Sequence, residues 1–129
     1  GTHLNGYPDV VAVMGGHSMK RTDPAFRTVV ELGREMARDG WHVATGGGPG
    51  AMEAANLGAW LAIHPDDSID QALELLTIEA DFHQADAYLR AGKAVLDRFP
   101  DGTESLAVPT WFYGHEPTNQ FATHVAKYF

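Results

Sequence analysis

The stretch VATGGGPGAMEAANLG, Val43 to Gly58, sets the narrowest limit on what this chain can fold into. A short apolar run reaches Thr45, and then Gly46, Gly47, Gly48, Pro49 and Gly50 follow almost without interruption. Beyond them Ala51, Ala54, Ala55, Gly58 and Ala59 recur at helical spacing. Strand, glycine turn and helix in that order make an α/β unit. Glycines let backbone approach an anion closely, and the free N–H groups of a helix start attract negative charge. The helix is expected from about Gly50 to Ile63, its small residues packing closely on a sheet.

The rest of the chain extends the pattern. Val10 to Met14 is an apolar, β-branched run between Pro8-Asp9 and Gly15-Gly16, as expected of a strand covered on both faces. After a polar loop, Asp23 caps and Pro24 begins a helix carrying Val29, Val30, Gly33, Met36 and Ala37, closed by Asp39-Gly40. Trp41 to Thr45 forms a second strand, most simply parallel to the first. Ser68 to Gln71 fits a capping box opening a helix with Ile69, Leu73 and Leu76. A longer helix is expected over Phe82 to Phe99, and a third strand over Leu106 to Phe112, with Pro109 at its end or at a bulge. Thr118 then caps a final helix containing Phe121, Val125 and Phe129. The expectation is a single α/β domain with a Rossmann-like parallel sheet flanked by helices. It comprises a βαβα core over 8–63, a helical segment over 64–105, and a strand plus a cut-off helix over 106–129. With three strands the sheet reads as incomplete, the front part of a longer protein.

Composition narrows the partners. The 129 residues carry a net charge of −8, which argues against nonspecific nucleic-acid binding, since phosphate backbones demand a basic face. A small phosphorylated ligand needs only a few local donors. No cysteine is present, which excludes disulfides and thiolate zinc sites and fits the cytoplasm. No apolar run approaches the ~20 residues of a membrane span. Seven histidines show neither H-x-H nor H-x-x-x-H spacing, so no metal is expected.

Gly46 to Ala51 formally fits the dinucleotide pattern G-x-G-x-x-A. However, the loop follows the second strand, and no later strand ends in an acidic residue about twenty positions on. A P-loop is excluded, because no Lys-Ser/Thr follows the glycines. A second loop, Gly15 to Arg21, leaves the same carboxyl edge and brings Ser18, Lys20 and Arg21 there, unless these cations simply face solvent. Glu53 either orients loop N–H groups or helps with catalysis, or only favours the helix dipole. His115 and Glu116 either border a pocket or shape a turn. Trp111, Phe112 and Tyr113 either stack on a base or belong to the core.

"VAVMGGHS" and "AFRTVVELGREMARDGWHVATGGGPGAMEAANLGA" resemble the first half of the LOG family, the lysine-decarboxylase-like Rossmann proteins associated with cytokinin riboside monophosphate phosphoribohydrolases. They are also similar to the longer bacterial nucleotide 5′-monophosphate nucleosidases. "VPTWFYGHEPTNQFATHVAKYF" is a weaker echo. The glycine of Gly50-Ala51-Met52-Glu53 lies one place early against the family's G-G-G-x-x-G-x-M. The resemblance implies cleavage of the N-glycosidic bond of nucleoside 5′-monophosphates, without a cofactor, by a homodimer when intact. It assigns phosphate or nucleotide contacts to Gly15, Gly16, His17, Ser18, Arg21, Gly46, Gly47, Gly48, Gly50, Ala51 and Met52. Glu53, His115 and Glu116 fall at the pocket rim. The family's second motif, P-G-G-x-G-T-x-x-E, does not occur in these 129 residues, so the catalytic residues are unassigned and this chain alone is expected to be inactive. A noncatalytic nucleotide or cofactor carrier is the alternative.

Overall fold

The computed structural model describes residues 10–13, 15, 18–46, 50–77, 85–107, 119–122 and 124–125. In chain order these form β1 (Val10–Val13), α1 (Pro24–Arg38), β2 (His42–Thr45), α2 (Ala51–Trp60), a 3-10 turn (Leu61–Ile63), α3 (Asp67–Thr77), α4 (Ala85–Arg98), β3 (Leu106–Ala107) and β4 (His124–Val125). All neighbouring strands are parallel, in the order β1-β2-β3-β4. Each strand therefore sits beside its predecessor, and among the described strands the order never reverses. The α/β class with a parallel sheet and flanking helices is what the alternation of apolar runs and helical spacing predicts.

α1 begins and ends as its sequence dictates. The Asp23 carboxylate accepts from the Ala25 N–H at 3.0 Å, and Pro24 opens the first turn, where a missing N–H costs nothing. At the other end the Gly40 and Trp41 N–H groups donate back to the Ala37 and Met36 carbonyls, satisfying acceptors the helix leaves over.

α1 and α2 cross at unusually short range because glycine faces backbone on both sides. A Cβ on Gly33 would lie 2.6 Å from the Ala55 carbonyl oxygen, and one on Gly58 would meet the Val30 carbonyl and lie 2.7 Å from the Arg34 nitrogen. Every residue from Ala51 to Ala59 is buried, so α2 is enclosed on all sides. The alanines of α2 are packing residues in the described structure. Val43, Ala55 and Ala59 form a small core with Val11, Val13, Val29, Met36 and Ala37 between sheet and helices. The larger core joins Phe26 and Val30 of α1 and Leu57 of α2 to Ile69 and Leu76 of α3, Val95 of α4, Phe99 and Phe121.

Three sequence expectations change. β1 is not covered on both faces: Val10 is 55% exposed and Ala12 is exposed, while Val11 and Val13, on the opposite face, pack against the Val43, Ala55 and Ala59 cluster. Ser68 does not cap α3. The helix has already begun at Asp67, the Ser68 and Ile69 N–H groups donate to the Pro65 and Asp66 carbonyls, and the Gln71 amide reaches Asp67 instead. The final helix is replaced by a turn at 119–122 and by β4, whose His124 and Val125 pair with Leu106 and Ala107. Of the expected third strand only Leu106–Ala107 is described; 108–118 lie outside the described residues.

Candidate functional site at the carboxyl edge of β1 and β2

β1 and β2 run in register, with Val13 beside Thr45, so the segments that follow them leave one edge of the sheet. After β1 comes Gly15 at φ 80° and then the stretch 18–23 that leads into α1. After β2 comes buried Gly46, and the chain re-enters the described structure at Gly50, the N-cap of α2. Gly50 has φ 75° and ψ −131°, a combination that L side chains avoid, which is why glycine stands there. It also has no side chain with which to cap the helix. The N–H groups of the first turn have no carbonyl within the helix to bind. Their partial positive charge is therefore directed at the sheet edge between the two loops.

A buried ion pair ties the loops together. Arg21, on the β1 side, donates Nε–H to Glu53 Oε1 at 2.8 Å and Nη2–H to Oε2 at 2.7 Å. Both side chains are 1% exposed. The fork-on-carboxylate geometry fixes both partners in orientation as well as distance. Glu53 lies in the first turn of α2, so its negative charge also stands at the favourable end of the helix dipole.

Behind this pair a neutral network runs through the core. Thr45 donates its hydroxyl to Asn56 Oδ1 at 2.7 Å, and Asn56 Nδ2 donates to Ser105 Oγ at 2.8 Å. Asn119 Nδ2 donates to the same Asn56 oxygen at 2.9 Å and accepts the Phe121 N–H on its own. Asn56 thus binds the end of β2, the approach to β3 and the turn before β4 to one point on α2. Pairing of both its oxygen and its nitrogen is what makes so buried an amide tolerable.

The far end of α2 is held by cations. Arg34 reaches the Leu61 and His64 carbonyls and Asp66 at 3.3, 2.6 and 2.9 Å, while Arg38 reaches the Ala62 and His64 carbonyls. The hydrogen bond from Arg34 holds the Asp66 carboxyl below its ordinary range, with the charges of Arg34 and Arg38 adding to the effect. These arginines satisfy the carbonyls left over at a helix end. α2 therefore carries an acid at its start and has two arginines of α1 holding the turn after its finish, while its first turn stays at the sheet edge.

The sequence-assigned residues fall as follows. Gly15, Gly46, Gly50, Ala51, Met52, Arg21 and Glu53 all lie in the segments at this edge; Ser18 is exposed there, as is Lys20. Ala51 and Met52 are buried, so they offer their backbone rather than their side chains. Arg21 and Glu53 do not face solvent; they face each other. Gly16, His17, Gly47, Gly48, His115 and Glu116 lie outside the described residues, as do Trp111, Phe112 and Tyr113. Sequence reading missed Asn56, Thr45, Ser105 and Asn119, as well as Arg34 and Arg38. The available signals were a polar pair, Glu53 and Asn56, inside an otherwise apolar helix, and two arginines four apart on α1. Among the described residues no group of three or more histidines and carboxylates converges on a metal position, and no helix is long and apolar enough to cross a membrane.

Residues 9–62 match the model of the SLOG cluster4 family. The SLOG-matched stretch runs from the start of β1 to the 3-10 turn after α2, so it contains both edge loops, the Arg21–Glu53 pair and the α1–α2 crossing. Ser105 and Asn119, which complete the Asn56 network, lie beyond it. No curated protein matches the chain.

Proposed function

We propose that the carboxyl edge of β1 and β2 binds the phosphate of a nucleoside 5′-monophosphate, as part of a LOG-like phosphoribohydrolase. The observation that carries this reading is the start of α2. There a glycine with φ 75° and no side chain at the N-cap brings a helix N-terminus to the edge where the β1 loop also arrives. Phosphate oxygens accept from first-turn N–H groups with little steric hindrance when no side chain intervenes. In this reading Gly46, Gly47, Gly48, Gly50, Ala51 and Met52 supply one wall through their backbone. Gly15, Gly16, His17, Ser18 and Arg21 supply the other, and Glu53, His115 and Glu116 stand at the rim. The SLOG cluster4 match over this stretch and the LOG-like residues within it support the same class.

Hydrolysis would add water at C1′ of the ribose, break the C1′–N bond and release the base with the proton, leaving ribose 5-phosphate. That step requires a carboxylate to stabilise the oxocarbenium-like centre or direct the water. Glu53 is already engaged by Arg21 in a buried pair, an observation that favours a second reading, a noncatalytic nucleotide carrier. In both, the protein acts in the cytoplasm, and the intact protein is a homodimer.

Incubation of the intact protein, of which these 129 residues form a part in this reading, with AMP, GMP, CMP and UMP, following free base and ribose 5-phosphate, separates the readings. Base release supports the hydrolase. Binding of a monophosphate without release supports the carrier. Absence of any binding by calorimetry refutes both.

A further inference from the structure

Residues 46–50 are four glycines and a proline, a sequence with almost nothing by which to anchor itself, so the connection depends on what holds its two ends. Thr45, at the entry, is buried, and α2 takes over at the exit. A side-chain bond joins the two, from the Thr45 hydroxyl to Asn56 Oδ1 at 2.7 Å. The same oxygen accepts from Asn119 Nδ2 at 2.9 Å, while Asn56 Nδ2 donates to Ser105 Oγ at 2.8 Å. The plane of the Asn56 amide is therefore fixed jointly by β2, by the approach to β3 and by the turn before β4.

That turn, 119–122, reaches Asn56 as a docked unit. The Phe121 N–H donates to Asn119 Oδ1 at 3.1 Å, the Phe121 ring is fully buried in the larger core, and Gln120 Nε2 donates to the Leu89 carbonyl of α4 at 3.1 Å. The fit carries a cost. Gln120 Oε1 is buried with no hydrogen-bond partner among the described residues, on the spot that a Cβ on Gly92 would occupy. A buried carbonyl oxygen without a donor has given up hydration that it regains when the turn lifts away. One aromatic ring and a few hydrogen bonds, set against a standing penalty, are the energetics of an element that opens before the whole fold does.

We infer that the turn 119–122 is a clasp that sets the glycine connection through Asn56. Docked, it holds the Asn56 amide in the orientation that receives the Thr45 hydroxyl. Released, it leaves the amide able to rotate and opens its oxygen to water, so the end of β2 loses its tie to α2. No ligand at that edge is needed for the coupling. Linkage makes the effect reciprocal: a change at Thr45 loosens the clasp by the same factor. Residues 9–62, the stretch matched to the family, contain both ends of the connection, whereas the clasp lies 63 residues beyond Asn56. The connection is thus controlled from a segment outside the matched stretch.

The test is amide hydrogen exchange of the full chain, read by NMR for wild type, Asn119→Ala, Thr45→Val and the double variant. Phe121 and Ala122 report the clasp. Gly46 and Ala54 report the connection, the Ala54 N–H closing the first turn of α2 on the Gly50 carbonyl. Arg38→Met is the control, since Arg38 holds the Ala62 and His64 carbonyls at the far end of α2. Asn119→Ala should speed exchange at Gly46 and Ala54 by roughly tenfold, the net worth of one hydrogen bond, and leave Val30 and Gly33 of α1 unchanged. Thr45→Val should speed exchange at Phe121 and Ala122 by a similar factor. In the double variant Gly46 and Ala54 should exchange no faster than in Thr45→Val. The inference is overturned if Asn119→Ala moves Phe121 and Ala122 alone, or if the two single effects multiply in the double variant. It is equally overturned if Val30 and Gly33 speed up in step, or if Arg38→Met gives the same rise at Gly46 and Ala54, because the loosening is then global. Should Asn119→Ala fail to fold, Phe121→Leu shrinks the seated ring and leaves Asn119 in place. Faster exchange at Ala122 must then be matched at Gly46 and Ala54, and a rise at Ala122 alone rejects the clasp.

Discussion

Placing a methyl group on Gly58 tests the α1–α2 crossing directly. In an exposed helix interior Gly→Ala stabilises by about 1 kcal/mol, because alanine loses less backbone freedom on folding. Here the new Cβ would meet the Val30 carbonyl and lie 2.7 Å from the Arg34 nitrogen, where ordinary contact begins near 3.4 Å. Both obstacles are backbone, so neither can rotate away, and the helices must part by well over half an ångström. A gap of 0.5–1 Å forfeits a quarter to a half of each atomic contact's ~0.1–0.2 kcal/mol, and on the order of forty contacts gives about 2–3 kcal/mol. Arg34 adds to this, since its bonds to the Leu61 and His64 carbonyls lengthen as α2 moves away. Offset by the helix-propensity gain, Gly58→Ala should cost about 2 kcal/mol, within the usual span for overpacking. Urea unfolding followed at 222 nm should show a lower midpoint at unchanged slope, and a Tm lower by about 6–10 °C. Gly92 provides the contrast, because the nearest atoms its Cβ would meet are the end of the Gln120 side chain, which can swing aside at the cost of its 3.1 Å bond to the Leu89 carbonyl. Gly92→Ala should be close to neutral, within about 1 kcal/mol, the propensity gain offsetting the lost Gln120 bond. Equal stability of Gly58→Ala and wild type would refute the close crossing.

Further outcomes can be stated briefly. Gly50→Ala should destabilise by about 1–3 kcal/mol in urea, since alanine is strained at φ 75°, ψ −131°, and should weaken AMP binding together with stability. Arg34→Met should cost about 2–3 kcal/mol by the same measurement, because it strips charged donors from two helix-end carbonyls. Asp66 has its folded pKa lowered below the ordinary 3.8, so its stabilising contribution is present above about pH 4 and is lost as pH falls through the lowered value. The urea midpoint of wild type should therefore fall more steeply than that of Asp66→Asn below pH 4, and parallel curves would show that the Arg34 contact does not persist in solution. Asn56→Ala should cost about 2–4 kcal/mol, since Thr45, Ser105 and Asn119 each lose a buried partner.

The parts of the fold read correctly from sequence are those specified within a few residues. Asp23-Pro24 and Asp39-Gly40 mark both ends of α1 by local hydrogen bonding, and the small residues of α2 announce its close packing. The last segment misled because Phe121 and Val125 are spaced by four, as in a helix. What decides there is pairing with Leu106 and Ala107, which no local spacing encodes. β1 misled because an apolar run does not say whether one face of a strand or both are covered. At the site, Arg21 and Glu53 each look like ordinary surface charges in sequence. Only their meeting across 32 residues makes them buried partners. Asn56 escaped notice for the same reason, its partners being 11, 49 and 63 residues away.

That spread of distances bears on how the molecule opens. The Thr45–Asn56 bond spans a short loop, whereas those to Ser105 and Asn119 close much longer ones at greater entropic cost. Contacts of that kind form late and are released early, in cooperative units smaller than the whole. β3, β4 and the turn before β4 should thus detach together while β1, α1, β2 and α2 remain assembled. Hydrogen exchange would record this as one shared, lower opening energy for amides at 105–107, 119–122 and 124–125. Each such excursion would bare the Asn56 amide to water, so that one polar side chain in the core both signs off the finished fold and marks where it first comes apart.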